Sequence, residues 1–379
     1  MVQSAFDQIL DSRVGYGSYQ RVAYFFIGLI ALADEAEIIT LSIILPSLKK
    51  EWNLSETHQG YLGSVLFFGI LVGSVLIGFL SDKIGRKKAL LISSGLEFAF
   101  GVGSSFVKNF STFMILRFIL GVMIGCTIPI APTFITEISP TAYRGKGQVY
   151  IQAFFVLGMG YAMMLAKIFM TDINTAEWSS IVFYGAMPSL LVFIGTLIFL
   201  DESPRFLIAR GQYNEGVTTL NRMGYKNQGE NFQEITPEER EDLRDWKLLV
   251  FEREVSVSWA VLFNSKNRKT TLCLLSNWIG LSFNFFGMVF ILPLIFSALQ
   301  PDDQEGSHEG INQLFFTLFG EIPAIILSYF IIDSKRFGRK NSTNLSNLLA
   351  AIMFILAFIF RNFGLLFWLI LARVFTKLS

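Results

Sequence analysis

Two apolar stretches, residues 60–80 and 89–107, are each long enough to cross a bilayer as a helix, and only eight residues, Ser81 to Lys88, join them. A spanning helix takes about 20 residues, so a link this short sets the two helices side by side in opposite directions, with the link at the water interface. Within lipid each backbone amide must be satisfied inside its own helix, which excludes open sheets and irregular cores. The expected fold class is therefore an all-α polytopic membrane protein, with the lipid bilayer as its first partner. Composition agrees, since 52% of the 379 residues are hydrophobic and 16% charged, more apolar surface than a soluble domain needs. A net charge of +1 without a clustered basic face argues against a nucleic-acid partner. Cys126 and Cys273 lie in separate apolar segments and read as packing residues. No nucleophile with its base, metal-ligand cluster or phosphate-cradling loop stands out, so neither an enzyme nor a cofactor or metal is expected.

The link itself, within GFLSDKIGRKK from Gly78 to Lys88, carries its charges the wrong way round. Asp82 follows the end of one helix and Arg86, Lys87 and Lys88 precede the next, so each sign opposes its own helix dipole and calls for partners elsewhere. A second set of charges lies at bilayer depth. The first apolar segment, about 24–45, holds Asp34, Glu35 and Glu37. A carboxylate there costs roughly 2.5–3.5 kcal/mol on insertion scales and usually faces a cavity or a partner. Asp34 and Glu37 lie about 60° apart on one helix face and are the better pathway candidates, the alternative being a buried bond to a neighbouring helix. Glu97, in the third segment, reads equally as a cavity-facing or a structural group. The fourth segment, about 113–135, carries Arg117 with Gly121 and Gly125 on the same face. A membrane arginine needs a counter-charge, and Asp34 is the expected partner, in a pair that must loosen for the acid to take up a proton. Farther on, Asn277 and Asn284 share a face of a seventh segment (271–299), and Glu321 lies in a GEIP break of an eighth (311–332). The asparagines read as cavity-lining or as interhelical hydrogen-bonding groups.

Three regions follow: a six-helix bundle over 1–200, a charged linker with amphipathic helices over 201–269, and a second, partial bundle over 270–379. Residues 1–20 are polar, carry no pattern of a cleaved signal peptide, and end in GYGSYQ, read as an interfacial lead-in. In the linker, TPEE fits a helix N-cap with an acidic first turn. DSKRFGRK, from Asp333 to Lys340, repeats the first charged link at an offset of 253, and Arg373 matches Arg117 at 256, which points to an internal duplication. Lys and Arg concentrate in alternate links, so those links, the N-terminus and the 201–269 linker are expected on the cytoplasmic side.

The pattern from Gly78 through Asp82 and Gly85 to Arg86 resembles the signature loop of the major facilitator superfamily. Together with GYGSYQ, RFILG, the PTFITEISPTAYRG stretch, DESPR (Asp201 to Arg205) and GEIPAIILSYFIIDSKRFGRK, the chain is similar to the synaptic-vesicle-protein-related and metabolite:proton symporter branch, which is sugar-porter-like. The resemblance implies a major facilitator fold with a complete six-helix N-terminal half and about four helices of the C-terminal half. It implies secondary active transport of a small organic solute, commonly with a proton, by alternating access; a non-transporting membrane binding or regulatory protein, or an inactive fragment, derived from a carrier is the alternative. Asp34, Glu37, Arg117 and Glu321 are then pathway residues. Gly78, Asp82, Gly85, Arg86, Glu137, Arg144, Glu202, Arg205, Asp333, Gly338 and Arg339 match cytoplasmic gate positions, where acids and arginines pair. The family has twelve spans and the last two are missing from these 379 residues, one of which would face Asp82; a longer product or another chain supplying those helices is expected.

Overall fold

The computed structural model of the protein describes residues 5–170, 177–254, 262–299, 321–331, 338–359 and 365–378. Among these residues every regular element is helical. Following a short helix α1 (Ala5–Ile9), which continues as a π-turn to Val14, the first span is α2 (Ser18–Glu51). It starts earlier and ends later than its apolar stretch. Gln20 Oε1 accepts from the Gly17 amide to fix the start, while Lys49 and Lys50 sit where the dipole favours cations. At 1.5 Å per residue its 34 residues reach about 51 Å, past both faces of a hydrocarbon core of about 30 Å.

α3 (Glu56–Ile84) and α4 (Arg86–Ser105) are separated by Gly85 alone. Its φ of +97° is open to glycine at no steric cost, and its amide closes α3 on the Ser81 carbonyl. Asp82 is thus inside the last turn of α3 rather than beyond it, and Arg86 is the first residue of α4. α5 (Phe110–Ile138), capped by Asn109 on the Thr112 amide, packs tightly on α3. Gly69 and Gly73 of α3 and Gly121 and Gly125 of α5 let the backbones touch, so that a Cβ on Gly73 would run into the Val122 carbonyl. Pro129 and Pro132 lie within α5, and the Pro132 carbonyl accepts from Gln148 of α6 (Arg144–Phe169).

The last span of the six-helix bundle, residues 178–199, is built from two helices, α7 (Trp178–Gly185) and α8 (Met187–Phe199). Pro188 has no amide to donate and is tolerated only in a first turn, so α8 starts just before it. The linker folds as α9 (Pro204–Ala209), α10 (Tyr213–Gln228) and α11 (Pro237–Glu254). The TPEE expectation holds in detail, because Thr236 and Glu239 exchange backbone and side-chain bonds in a capping box. After α12 (Arg268–Leu299) come α13 (Glu321–Ile331), α14 (Gly338–Ile359) and α15 (Leu365–Leu378).

Five helical segments, 57–84, 110–138, 141–169, 178–199 and 341–359, are long and apolar enough to cross a membrane among the described residues. Large apolar side chains such as Phe68, Ile115, Ile198 and Phe283 face outward, the last 79% exposed, as lipid contact requires. The core divides into two parts. One surrounds the N-terminal half of α2, the C-terminal half of α5 and the linker helices, and the other joins the C-terminal half of α2 and the N-terminal half of α5 to α6, α7 and Val289 of α12.

Candidate functional site

Arg117, fully buried on α5, donates from Nη1 to Glu37 Oε2 at 2.8 Å, and its guanidinium lies 4.9 Å from the Phe113 ring centroid. The arginine therefore takes Glu37, and not Asp34 as the sequence suggested. α2 and α5, the first and fourth spans, run in opposite directions, so one turn back along α2 corresponds to a position farther along α5. There Asp34 meets Thr127, whose hydroxyl is 2.8 Å from Asp34 Oδ1 and 2.7 Å from the Ile124 carbonyl. A hydroxyl has one proton to give. If it goes to Ile124 in the usual helical back-bond, Thr127 is left to accept from a protonated Asp34.

A third acid joins these two. Glu97 of α4 is buried and accepts from the Ser189 hydroxyl, at the start of α8, at 2.9 Å. One turn beyond Glu97 on α4, Gly101 leaves the space into which Glu37 fits, since a Cβ there would stand 2.6 Å from Glu37 Oε1. Sequence reasoning named Asp34, Glu37 and Arg117, all of which come together, and left Glu97 undecided. It missed Thr127 and Ser189, whose signal was a hydroxyl in an otherwise apolar turn close to a helix-disturbing proline.

In the second bundle Glu321 opens α13, fully buried, and its Oε1 is 3.3 Å from Arg373 Nε of α15. Arg373 also donates to the Met159 sulfur of α6 at 3.3 Å, so this pair sits against the first bundle. Asn277 accepts from Asn347 of α14 at 2.8 Å, the interhelical hydrogen bond that was one of its two readings, and Asn284 is half-buried on α12. Ser42 of α2 donates to the Val289 carbonyl at 2.6 Å, a direct tie between the bundles.

At the end of the first bundle that carries the linker, the misplaced charges of the first link find their partners. Arg86 pairs with Asp82 at 2.9 Å and with Glu137 at 3.1 Å and lies 5.2 Å from the Phe206 ring. Asp82 thus has a partner within its own link. Glu202 binds backbone rather than an arginine: its Oε1 accepts from the Arg86 and Lys87 amides at 2.8 and 3.0 Å. An anion at the first turn of α4 is what the helix dipole favours, and it offsets the lysines there. Arg144 pairs with Asp7 of α1 at 2.5 Å. Arg205 lies over the rings of Phe6 and Trp246, at 5.9 and 5.6 Å from their centroids. Gly78, on α3, has open space around the position of a Cβ. Gly338 and Arg339 begin α14, while Asp333 and the acidic run Pro301 to Glu309 lie outside the described residues. No group of three metal-ligating side chains occurs among the described residues.

The profile of the family described as sugar (and other) transporter matches residues 15–372. Synaptic vesicle glycoprotein 2A of Rattus norvegicus is 29% identical over 321 residues, covering 76% of this chain and 43% of the relative. Synaptic vesicle 2-related protein of Rattus norvegicus is 29% identical over 362 residues, covering 91% of this chain and 63% of the relative. The chain thus spans between two-fifths and two-thirds of the length of these relatives. Among solved structures, the partially occluded inward-open xylose transporter XylE from E. coli superposes with a TM-score of 0.75 at 20% identity, over 96% of this chain and 85% of that one. That likeness shows the major facilitator fold.

Proposed function

Because this chain belongs to the sugar (and other) transporter family, a family of integral membrane proteins, we propose that it forms part of a secondary active carrier. Its cargo is a small organic solute moved with a proton, by alternating access between the two bundles. The observation that carries this reading is the buried Glu37–Arg117 pair with Asp34 beside it. Acids at this depth are costly unless they meet a partner or a proton. With the guanidinium engaged by Glu37, Asp34 is the acid left to load and release the proton, and Thr127 is the group that senses which form it is in. We place the N-terminus, the 201–269 linker and the Arg86–Glu137–Glu202 cluster on the cytoplasmic side, following the basic bias of those links. The cluster then acts as the hinge-end fastening of the first bundle, and Glu321–Arg373 as the corresponding charge pair of the second.

The test is uptake by the full-length protein reconstituted into proteoliposomes holding a pH-sensitive dye, with D-xylose and a set of small carboxylates as probes. Solute-dependent proton movement that is abolished by Asp34→Asn is expected. Uptake of any of these probes with unchanged proton movement in Asp34→Asn would remove Asp34 from the coupling step, and an absence of uptake across the set would favour a binding protein over a carrier.

A further inference from the structure

Glu97 has no place in the mechanism above, yet it is one of the most deeply buried acids in the chain, 1% exposed. Its position relative to Asp34 follows from register. α2 and α4 are the first and third spans, so they cross the bilayer in the same direction. Glu37 of α2 lies against Gly101 of α4. One turn back along each helix leads from Glu37 to Asp34 and from Gly101 to Glu97, so the two acids stand at the same depth, and Glu97 interacts electrostatically with both Asp34 and Glu37.

The surrounding groups define the charge balance. α2 contributes Asp34, Glu35 and Glu37; α5 contributes Arg117, engaged by Glu37, together with the Cys126 thiol and the Thr127 hydroxyl beside Asp34. α8, which carries no charged side chain, contributes the Ser189 hydroxyl to Glu97, and α6 contributes Tyr161 near Glu37. α3 carries its charged side chains only near its ends, and α7 carries none. Once Glu37 and Arg117 neutralise each other, Asp34, Glu35 and Glu97 remain as buried acids; Glu35 interacts electrostatically with Asp34 from the same helix, while Asp34 and Glu97, at one depth on two helices, are each hydrogen-bonded to a hydroxyl. Carboxylates that interact in a low-dielectric interior resist ionising together.

We propose that Asp34 and Glu97 form one shared proton-binding site between α2, α4, α5 and α8, so that the coupling proton is held by a pair of acids on two helices. A proton that can sit on either helix makes its release depend on how α2 and α4 are aligned. Its part in transport rests on the proton-coupled reading given above; the site itself is tested without transport.

The measurement is an infrared pH titration of the purified chain in lipid, following the C=O bands of protonated carboxyls in wild type, Asp34→Asn, Glu97→Gln and the double variant. Asn keeps both an NH2 that can donate to Thr127 and an oxygen that can accept from it, and Gln keeps an oxygen that accepts from Ser189, so a purely structural role would be preserved. Each single variant is expected to lose one band. The wild-type titration should be broader than a one-proton curve by about one pH unit or more, because coupled acids titrate as a pair. Each single variant should titrate over a narrower range than the wild type, because the strongest partner of the remaining acid is gone. Glu97→Asp should keep a band and the broadening, which guards against a variant that merely fails to fold. A wild-type titration equal to the sum of the two single variants, or no band lost in Glu97→Gln, would overturn the shared site whatever the uptake assay gives. Coupled spectra with pH-independent uptake would instead leave the site standing and remove the transport reading.

Discussion

At the scale of single residues, the fit of Glu37 depends on an atom that is missing from its neighbour. Gly101 faces Glu37 Oε1 and the Ala186 methyl, which would stand 2.6 and 2.7 Å from a Cβ at that position. Gly101→Ala must therefore push Glu37 away from Arg117 or open α4 from α7, at a cost of about 1–3 kcal/mol, the usual range for overpacking. Gly160, inside α6, has nothing within 4 Å of the same position, so Gly160→Ala should cost nothing or stabilise by up to about 1 kcal/mol. Thermal unfolding in detergent separates the two: a drop in Tm confined to Gly101→Ala is expected, and equal shifts would mean that the glycine leaves no functional space. The same contact explains why the arginine's partner was only half legible. A buried guanidinium demands a carboxylate, which named the two helices, but the choice between Asp34 and Glu37 is set by how far α5 is shifted along α2. No local pattern in either segment carries that shift.

Whole elements show a different kind of gap. Residues 1–20 are polar on average, which hides α1, yet Phe6, Ile9 and Leu10 fall at the spacing of one helical face and are buried with Val14. The face docks on the linker, where Phe6 stacks on Trp246 at 5.5 Å and Arg205 covers both rings. Asp7 and Asp11, on the flank of that face, bind Arg144 and the amide and hydroxyl of Thr141. Phe6→Ala should remove about 3–5 kcal/mol from this docking, as for other fully buried aromatics. Faster tryptic cleavage within 201–254, with the rest of the bundle unaffected, is the expected readout; an unchanged digest would show that α1 is not what holds the linker. Long apolar runs made the spans legible, since composition alone specifies them. The break at Ala186 was harder to read, because Pro188 is compatible with either a kinked helix or a fresh start, and packing against α2 and α4 decides between them.

For the molecule as a whole, α9 to α11 of the linker are the largest group of polar helices among the described residues, so their attachment is a place where solution pH can act on the fold. Arg13, next to α1, reaches Glu239 at the start of α11 at 2.7 Å, and Gln228 and Asn227 hold the backbone of residues 13–15 from the end of α10. Partial burial pushes the Glu239 carboxyl up, but the Thr236 amide, Arg13 and the Thr236 hydroxyl together outweigh it and hold it below its ordinary range. A folded-state value below the unfolded one means that this attachment is fully in place above the unfolded carboxylate value of about 4.3, and is lost as pH falls through the depressed value. Glu239→Gln removes the charge and the titration together. The variant should be less stable near neutral pH, and its Tm should fall less steeply than that of the wild type as the solution is acidified. Both differences come from a site distant from Asp34 and Glu97, so Asp34→Asn should leave the difference between the Glu239→Gln and parent acid limbs unchanged. If the acid limb of Glu239→Gln instead runs parallel to that of the wild type, Glu239 does not contribute to the acid sensitivity of the linker, and its bond to Arg13 is an exposed pair of little weight.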